Sequence, residues 1–286
     1  MANEFRKVTV LGTGVLGSQI AFQTAFHGFD VTAYDINDEA VTAARKRFDG
    51  LAQVYQQDVD GADADNTAST AAGITLTTDL ATAAGEADLI IEAVPEVLDI
   101  KRDLYEKLGT LAPARTVFAT NSSTLLPSDI ADYTGRPDRF LALHFANHVW
   151  KFNTAEVMGT ERTDPAVFTA VVAFAKAIGM VPIELHKEKA GYVLNSLLVP
   201  FLNSGIELAA GGYAEPAAVD ETWRIATGAP MGPFQILDIV GLTTPYNILV
   251  NGSEAHKKLA AWLKENYIDK GKLGAATGEG FYTYPK

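Results

Sequence analysis

The sequence predicts an α/β protein, a doubly wound sheet followed by an all-α C-terminal domain, on three observations. Short apolar runs alternate with helix-patterned stretches as far as residue 185. A glycine-rich turn, GTGVLG, joins the first run to the first helical stretch. Beyond MVPIEL (180–185) strand-like runs stop, and only helix-length segments remain.

Residues 8–11 (VTVL) read as the first strand, ended by GTGVLG and followed by an apolar-periodic helix to about Phe26. VTAY (31–34) is the second strand, and a polar helix starts near Asp38. Further strands are expected at 74–77, 89–94, 116–119 and 140–144, with AEVM (155–158) and MVPIEL as later strand-like segments. The stretch 99–111 carries a helical pattern. Strands alternating with helices imply a parallel sheet covered on both faces. Helix-length segments then cover 190–211, 215–226 and 232–267, broken by Gly and Pro. A domain boundary is therefore expected near Lys187, giving domains 1–187 and 188–286. DVDGADADNTASTAAG (58–73) is small, acidic and poor in large apolar groups, which predicts a solvated loop or exposed helix tip. The aromatic tail GEGFYTY is expected to pack against the protein.

Composition narrows the function. With 48% apolar and 20% charged residues, 286 residues can bury a substantial core. A net charge of −12 repels phosphate backbones and anionic headgroups, which argues against nucleic-acid or membrane partners. The absence of cysteine excludes disulfides, cysteine-ligated zinc, iron–sulfur clusters and thiol nucleophiles. The N-terminus runs almost at once into a strand, leaving no room for a signal peptide, and no apolar run reaches bilayer-spanning length. A cytoplasmic location is expected.

Gly12, Gly14 and Gly17, with Val15 and Leu16 between them, form GxGxxG directly after a strand and at the start of a helix. Glycine there permits a tight turn, close backbone approach to a pyrophosphate, and helix–strand packing. The helix N-terminus adds N–H groups and partial positive charge for the phosphates. The second strand leads into Asp35, eighteen residues past Gly17, where a carboxylate accepts hydrogen bonds from ribose hydroxyls and repels a 2′-phosphate. Ile36 and Asn37 follow, with no arginine to neutralise it, so NAD(H) is expected over NADP(H). The prediction is a Rossmann-type dinucleotide-binding domain.

HFANHVWKFNTAEVM (144–158) has three readings. His144 and His148 could share a metal, but in extended chain they lie about 13 Å apart, and no HExxH pattern appears. His144 could be a hydrogen-bonded core histidine. It could also be catalytic, since hydride exchange at a carbon bearing oxygen needs a proton donor or acceptor near neutral pH. Glu156 could fold back beside it to fix its tautomer.

The chain resembles the short, NAD-dependent 3-hydroxyacyl-CoA dehydrogenase family over essentially its full length. The matching motifs are GTGVLG with Asp35, IEAVPE with Lys101, ATNSST, HFAN…E, GYVLNSLLVPF, APMGPFQILDIVGL and TGEGFY, in order and spacing. The resemblance implies that His144 is the catalytic base and Glu156 its orienting carboxylate. It implies that Ser123 and Asn195 hydrogen-bond the reacting oxygen. Glu96 and Lys101 match positions near the nicotinamide end of the cofactor, and Asn121 is grouped with them as cofactor-binding.

Two departures bear on the substrate. Family members usually carry HFFNP, whereas here Asn147 is followed by His148, Trp150 and Phe152, which would reshape the substrate entrance. Positions that in CoA-using relatives meet the CoA phosphates fall here at Leu51 and Asp58, followed by Asp60, Asp63 and Asp65, with Arg45, Lys46 and Arg47 upstream. The expectation is an NAD(H)-dependent oxidoreductase that interconverts 3-keto and 3-hydroxy acyl compounds, leaning to a β-keto or diketo ester. The alternative is an L-3-hydroxyacyl-CoA dehydrogenase. A sugar-acid dehydrogenase using Arg224 and a non-catalytic NAD-binding protein stand further back. GYVLNSLLVPFL and GPFQILDIVGL are apolar enough to predict a homodimer through the C-terminal domain.

Overall fold

The computed structural model describes residues 5–285. The first of two compact units ends at Val193 and the second begins at Leu194.

The first unit is built on eight strands: β1 (Lys7–Leu11), β2 (Asp30–Tyr34), β3 (Thr75–Thr77), β4 (Leu89–Glu92), β5 (Val117–Thr120), β6 (Phe140–Phe145), β7 (Thr154–Gly159) and β8 (Val181–Leu185). Their order in the sheet is β3-β2-β1-β4-β5-β6-β7-β8. Six helices accompany them: α1 (Val15–Phe26), α2 (Asp38–Asp58), α3 (Ala64–Gly73), α4 (Leu80–Ala84), α5 (Leu98–Leu111) and α6 (Pro165–Ala177). The strand order reverses between β1 and β4, so the loops after these two strands flank the crevice where doubly wound sheets take ligands. Alternation along the strands builds two apolar layers. Leu89 and Ile91 pack with Val10, Phe22 and Phe48 on one face, while Ile90 packs with Tyr105, Phe118 and Phe140 on the other. Helix α1 is apolar around most of its circumference, and its residues 17–24 are buried.

The expected α/β class, with its doubly wound sheet and helical C-terminal domain, is observed. Two details differ from the sequence expectation. The sheet is not wholly parallel, because β7 runs antiparallel to β6. Only a short irregular connection separates them, too short for the crossover a parallel pair requires. Residues 58–73, expected as a solvated loop or exposed helix tip, are a short turn followed by the mostly exposed helix α3: Asp63 caps α3 through Asn66 N (2.8 Å), Asn66 Oδ1 accepts from Asp63 N (3.0 Å), and Thr67 and Ala71 are buried. Their small side chains hide this helix from a reading based on large apolar residues. The break was expected near Lys187, and the compact units meet between Val193 and Leu194. Tyr192 is 1% exposed among Ala142 and Met158, and Val193 N–H donates to Glu156, which ties these residues to the sheet.

The second unit contains α7 (Leu194–Ala210), α8 (Pro216–Thr227), α9 (Pro233–Val240), α10 (Thr243–Val250) and α11 (Glu254–Asn266). Leu202, Ile206, Phe234, Leu237, Leu249 and Leu263 are buried in its core. The apolar stretch 232–267 forms three helices because Gly241, at φ +85°, ends α9, and Ser253 caps α11. The aromatic tail packs as expected, with Phe281 edge-on to Phe234 at 4.5 Å. Asp238 accepts from the Phe281 and Tyr282 N–H groups (2.8 and 2.9 Å) and from the Tyr284 hydroxyl (2.9 Å).

Candidate active site

At the end of β1 the chain turns through Gly12 (φ +90°), where a Cβ would lie 2.7 Å from the Ala93 carbonyl oxygen. A Cβ at Gly17 would lie 1.9 Å from the Gly12 carbonyl oxygen, so both positions exclude any side chain. Gly14 has no atom within 4 Å of its would-be Cβ, which leaves space for a ligand over the loop. No side chain caps α1 and no acid stands in its first turn, so the helix end suits a diphosphate. Val15 is exposed there and Leu16 packs against the core.

Asp35 follows β2, and its Oδ2 accepts from Thr13 N (2.8 Å) and Thr13 Oγ1 (2.6 Å), while Oδ1 accepts from Ile36 N (2.8 Å). These bonds orient the carboxylate, and together with the glycine cradle they fit a dinucleotide with an unphosphorylated ribose. The sequence neighbours of Asp35 include no arginine, yet α2 brings Arg47 to the Thr13 carbonyl at 3.2 Å. That contact depends on folding and is invisible in the local motif.

Glu96 lies in the loop after β4. Its Oε1 accepts from Ser122 Oγ (2.5 Å), Ser123 N (3.0 Å), Thr124 N (2.8 Å) and Thr124 Oγ1 (2.8 Å). Burial works against its charged form but is outweighed by the Ser122 hydroxyl, the Thr124 N–H, the Lys101 ammonium and the Thr124 hydroxyl, which hold the carboxyl at about 2. Lys101, expected beside the cofactor, is 1% exposed, with Nζ at 2.6 Å from Glu92 and 3.3 Å from Glu96. Its ammonium is committed to those two carboxylates. Asn121 is also inward: its Oδ1 accepts from Phe145 N (2.9 Å) and braces the end of β6.

His144 and Glu156 are direct partners in the antiparallel register of β6 and β7, so they project from the same face. Their twelve-residue spacing is thus the span of a two-stranded return. His144 Nδ1 lies 2.9 Å from Glu156 Oε2, and Nε2 lies 3.1 Å from Ser123 Oγ. The other Glu156 oxygen accepts from Val193 N (2.8 Å). His144 and Glu156 are almost fully buried, while Ser123 is half-buried. With Nδ1 donating to the carboxylate, Nε2 is the nitrogen available for proton exchange.

Tyr192 was not singled out by its sequence. Its ring stacks on the His144 imidazole, with centroids 4.5 Å apart and planes 12° apart, and its hydroxyl donates to the Ser122 carbonyl (2.7 Å). Burial, followed by the carboxylates Glu96, Glu156, Glu92 and Glu188, pushes its phenol well up, so it stays a donor. Its 48-residue separation from His144 gives no local signal. Glu92, inside the IEAVPE run but not singled out, accepts from Lys101, Tyr105 and Thr120.

His148 packs against Trp150 and Phe152 at centroid distances of 5.3 and 6.2 Å, and its backbone N–H donates to Gln19 Oε1 (2.7 Å). It sits at φ +61°, a strained region for a non-glycine residue. Trp150 Nε1 donates to Asp58 Oδ2 (3.0 Å), and Leu51 lies in the core. Arg45 donates to the Ala71 and Ile74 carbonyls, leaving Lys46 as the exposed cation without such a bond in that run. Asn195 lies in the first turn of α7 and Arg224 near the end of α8, both in the second unit.

Residues 7–189 match the 3-hydroxyacyl-CoA dehydrogenase NAD binding domain, and residues 191–284 match the 3-hydroxyacyl-CoA dehydrogenase C-terminal domain. The mitochondrial hydroxyacyl-coenzyme A dehydrogenase of Rattus norvegicus is 33% identical over 288 residues, covering 98% of this chain and 91% of the relative. A solved diketoreductase, studied for substrate-directed dual catalysis of dicarbonyl compounds, is 68% identical with a TM-score of 0.95, covering 98% of this chain and 99% of that one. M. tuberculosis FadB2 is 29% identical with a TM-score of 0.89, covering 98% and 99%. Together the two matched domains span nearly the whole chain, and the chain belongs to the 3-hydroxyacyl-CoA dehydrogenase family of NAD-dependent enzymes acting on CH–OH groups.

Proposed function

We propose that this enzyme reduces a β-keto or diketo ester to the 3-hydroxy compound with NADH. The observation carrying the chemistry is His144, held between Glu156 and Ser123 with Nε2 and the Ser123 hydroxyl 3.1 Å apart. Two polar atoms so close can address one substrate oxygen. NAD(H), when bound, supplies the hydride or accepts it. In reduction His144 gives its Nε2 proton to the carbonyl oxygen, and in oxidation it takes the hydroxyl proton. Glu156 stabilises the imidazolium and fixes the tautomer. Ser123, with Asn195 as the second oxygen-binding group, polarises the carbonyl. Glu96 fixes the loop bearing Ser123, and Lys101 braces Glu96. Gly12, Gly14, Val15, Leu16, Gly17 and Asp35 hold the cofactor's adenosine diphosphate end, and Asn121 acts by bracing β6.

The lean towards an ester rests on Asp58, whose carboxylate bonds the Trp150 indole at a position where CoA-using relatives present groups to phosphates. Asp60, Asp63 and Asp65 add negative charge nearby in sequence. The 68% identity to a diketoreductase supports the same choice. The curated hydroxyacyl-CoA relative favours a thioester as the second reading. NADH oxidation with acetoacetyl-CoA against a simple β-keto or diketo ester separates them. Efficient turnover of the thioester would overturn the ester preference. His144→Ala should abolish turnover while NADH still binds; retained turnover would remove His144 from its role.

The same proposal includes a homodimer through the second unit, which exposes Leu197, Tyr213 and Ile225 and has an apolar groove of about 490 Å³ lined by Phe201, Leu208 and Trp223. A monomeric mass in sedimentation would refute it. Among the described residues no helix is long and apolar enough to cross a membrane. A cytoplasmic location is proposed on the cysteine-free composition.

A further inference from the structure

We infer that Tyr192 is the positioning residue that sets His144 and Ser123 relative to each other. This rests on the catalytic reading of His144. The Nδ1–Glu156 bond fixes one edge of the imidazole, but one hydrogen bond leaves the ring able to tilt about that axis. A second ring lying nearly parallel, 12° off and 4.5 Å away, removes that freedom on the covered face. The hydroxyl of the same side chain donates to the Ser122 carbonyl at 2.7 Å, one residue before Ser123. One rigid phenol therefore touches His144 directly and holds the backbone one residue before Ser123, the other partner of the 3.1 Å Nε2–Oγ contact.

The backbone supports a positional role. Tyr192 sits at φ +52°, a left-handed conformation that a bulky residue rarely adopts, directly after Gly191 at φ +80°. The turn is closed by Tyr192 N–H donating to the Lys189 carbonyl (3.0 Å), and Lys189 N–H in turn points to Met158 Sδ (3.1 Å) on β7. The next residue, Val193, donates its N–H to Glu156. Residues 189–193 thus grip β7 and orient the carboxylate while placing the ring against the histidine. A buried aromatic serving only as filler would not need its ring aligned with the imidazole.

The test is steady-state kinetics of Tyr192→Phe and Tyr192→Leu with whichever keto substrate the wild type reduces, beside NADH affinity by fluorescence. Phe keeps the stack and loses the Ser122 bond; Leu loses both. The expected result is a kcat about tenfold lower for Leu and about threefold lower for Phe, with KM and NADH affinity within about twofold of wild type. A lower kcat in Phe, which fills the same space, with KM and NADH affinity intact, is what filler would not produce. The inference fails if either variant keeps the wild-type kcat. It also fails if kcat, NADH affinity and melting temperature all fall while KM rises. Should the Leu variant not fold, Phe decides by the same criterion. His144→Ala serves as control: turnover surviving there sinks the catalytic reading itself, whereas a dead His144→Ala beside an undiminished Tyr192 variant sinks only this inference.

Discussion

Glu156→Gln is the most informative single change, because it preserves shape while altering charge and hydrogen-bond direction. One Glu156 oxygen faces His144 Nδ1–H at 2.9 Å and the other faces Val193 N–H at 2.8 Å. Glutamine has one oxygen and one NH₂ group, so it cannot accept from both. If its oxygen serves Val193, the NH₂ faces Nδ1, which must become an acceptor, and the imidazole proton moves to Nε2. That tautomer cannot receive a proton from a hydroxyl substrate. If the amide is reversed, the NH₂ meets the Val193 N–H, costing about 1–3 kcal/mol for an unsatisfied donor. In either case the imidazolium loses its counter-charge. Two charges about 4 Å apart interact by about 4 kcal/mol at an effective dielectric near 20. At 1.36 kcal/mol per tenfold in rate, this gives a fall in kcat for alcohol oxidation of roughly 10²- to 10³-fold. The assay is NADH formation from the 3-hydroxy compound, with NAD binding measured separately and expected within about twofold of wild type. A folded Glu156→Gln enzyme within about threefold of wild-type kcat would refute the assignment of Glu156 as the orienting carboxylate.

Three further outcomes are expected. Asp35→Asn removes the charged acceptor for the ribose and should weaken NADH binding about tenfold while narrowing the preference over NADPH; unchanged affinities in fluorescence titration would exclude that role. Asp238→Ala leaves the Phe281 and Tyr282 N–H groups and the Tyr284 hydroxyl without their acceptor, and should cost about 2–4 kcal/mol in urea unfolding. A loss below about 0.5 kcal/mol would show that the tail contributes little. The folded Glu96 carboxyl is held at about 2 against an ordinary 4.5, so its contribution is full above about pH 4.5 and lost as pH falls through the folded value. Hydrogen-exchange protection of residues 122–125 should decline across that window, and constant protection would contradict the network.

The nucleotide loop was legible because its constraints are local. Gly12 must turn the chain and Gly17 must let the loop pass within contact of its own carbonyl, demands met by residue type at fixed spacing. The strands were legible for the same reason, as short apolar runs bounded by turn signals. Helix α3 was not, since its buried face is made of Thr67 and Ala71, which carry no strong hydrophobic signal. The pairing of His144 with Glu156 was suggested by sequence, but only the antiparallel return of β7 set the register that makes them face each other, because a one-residue slip would turn Glu156 to the opposite face. Tyr192 and the Arg47–Thr13 contact belong wholly to tertiary structure. They join residues distant along the chain, and nothing in composition or spacing encodes such a meeting. By itself the sequence determined the cofactor loop, the α/β class and the residue types available for catalysis. The packing of the first unit decided which nitrogen of His144 meets Ser123, which carboxylate fixes the loop, and which ring holds the base in place.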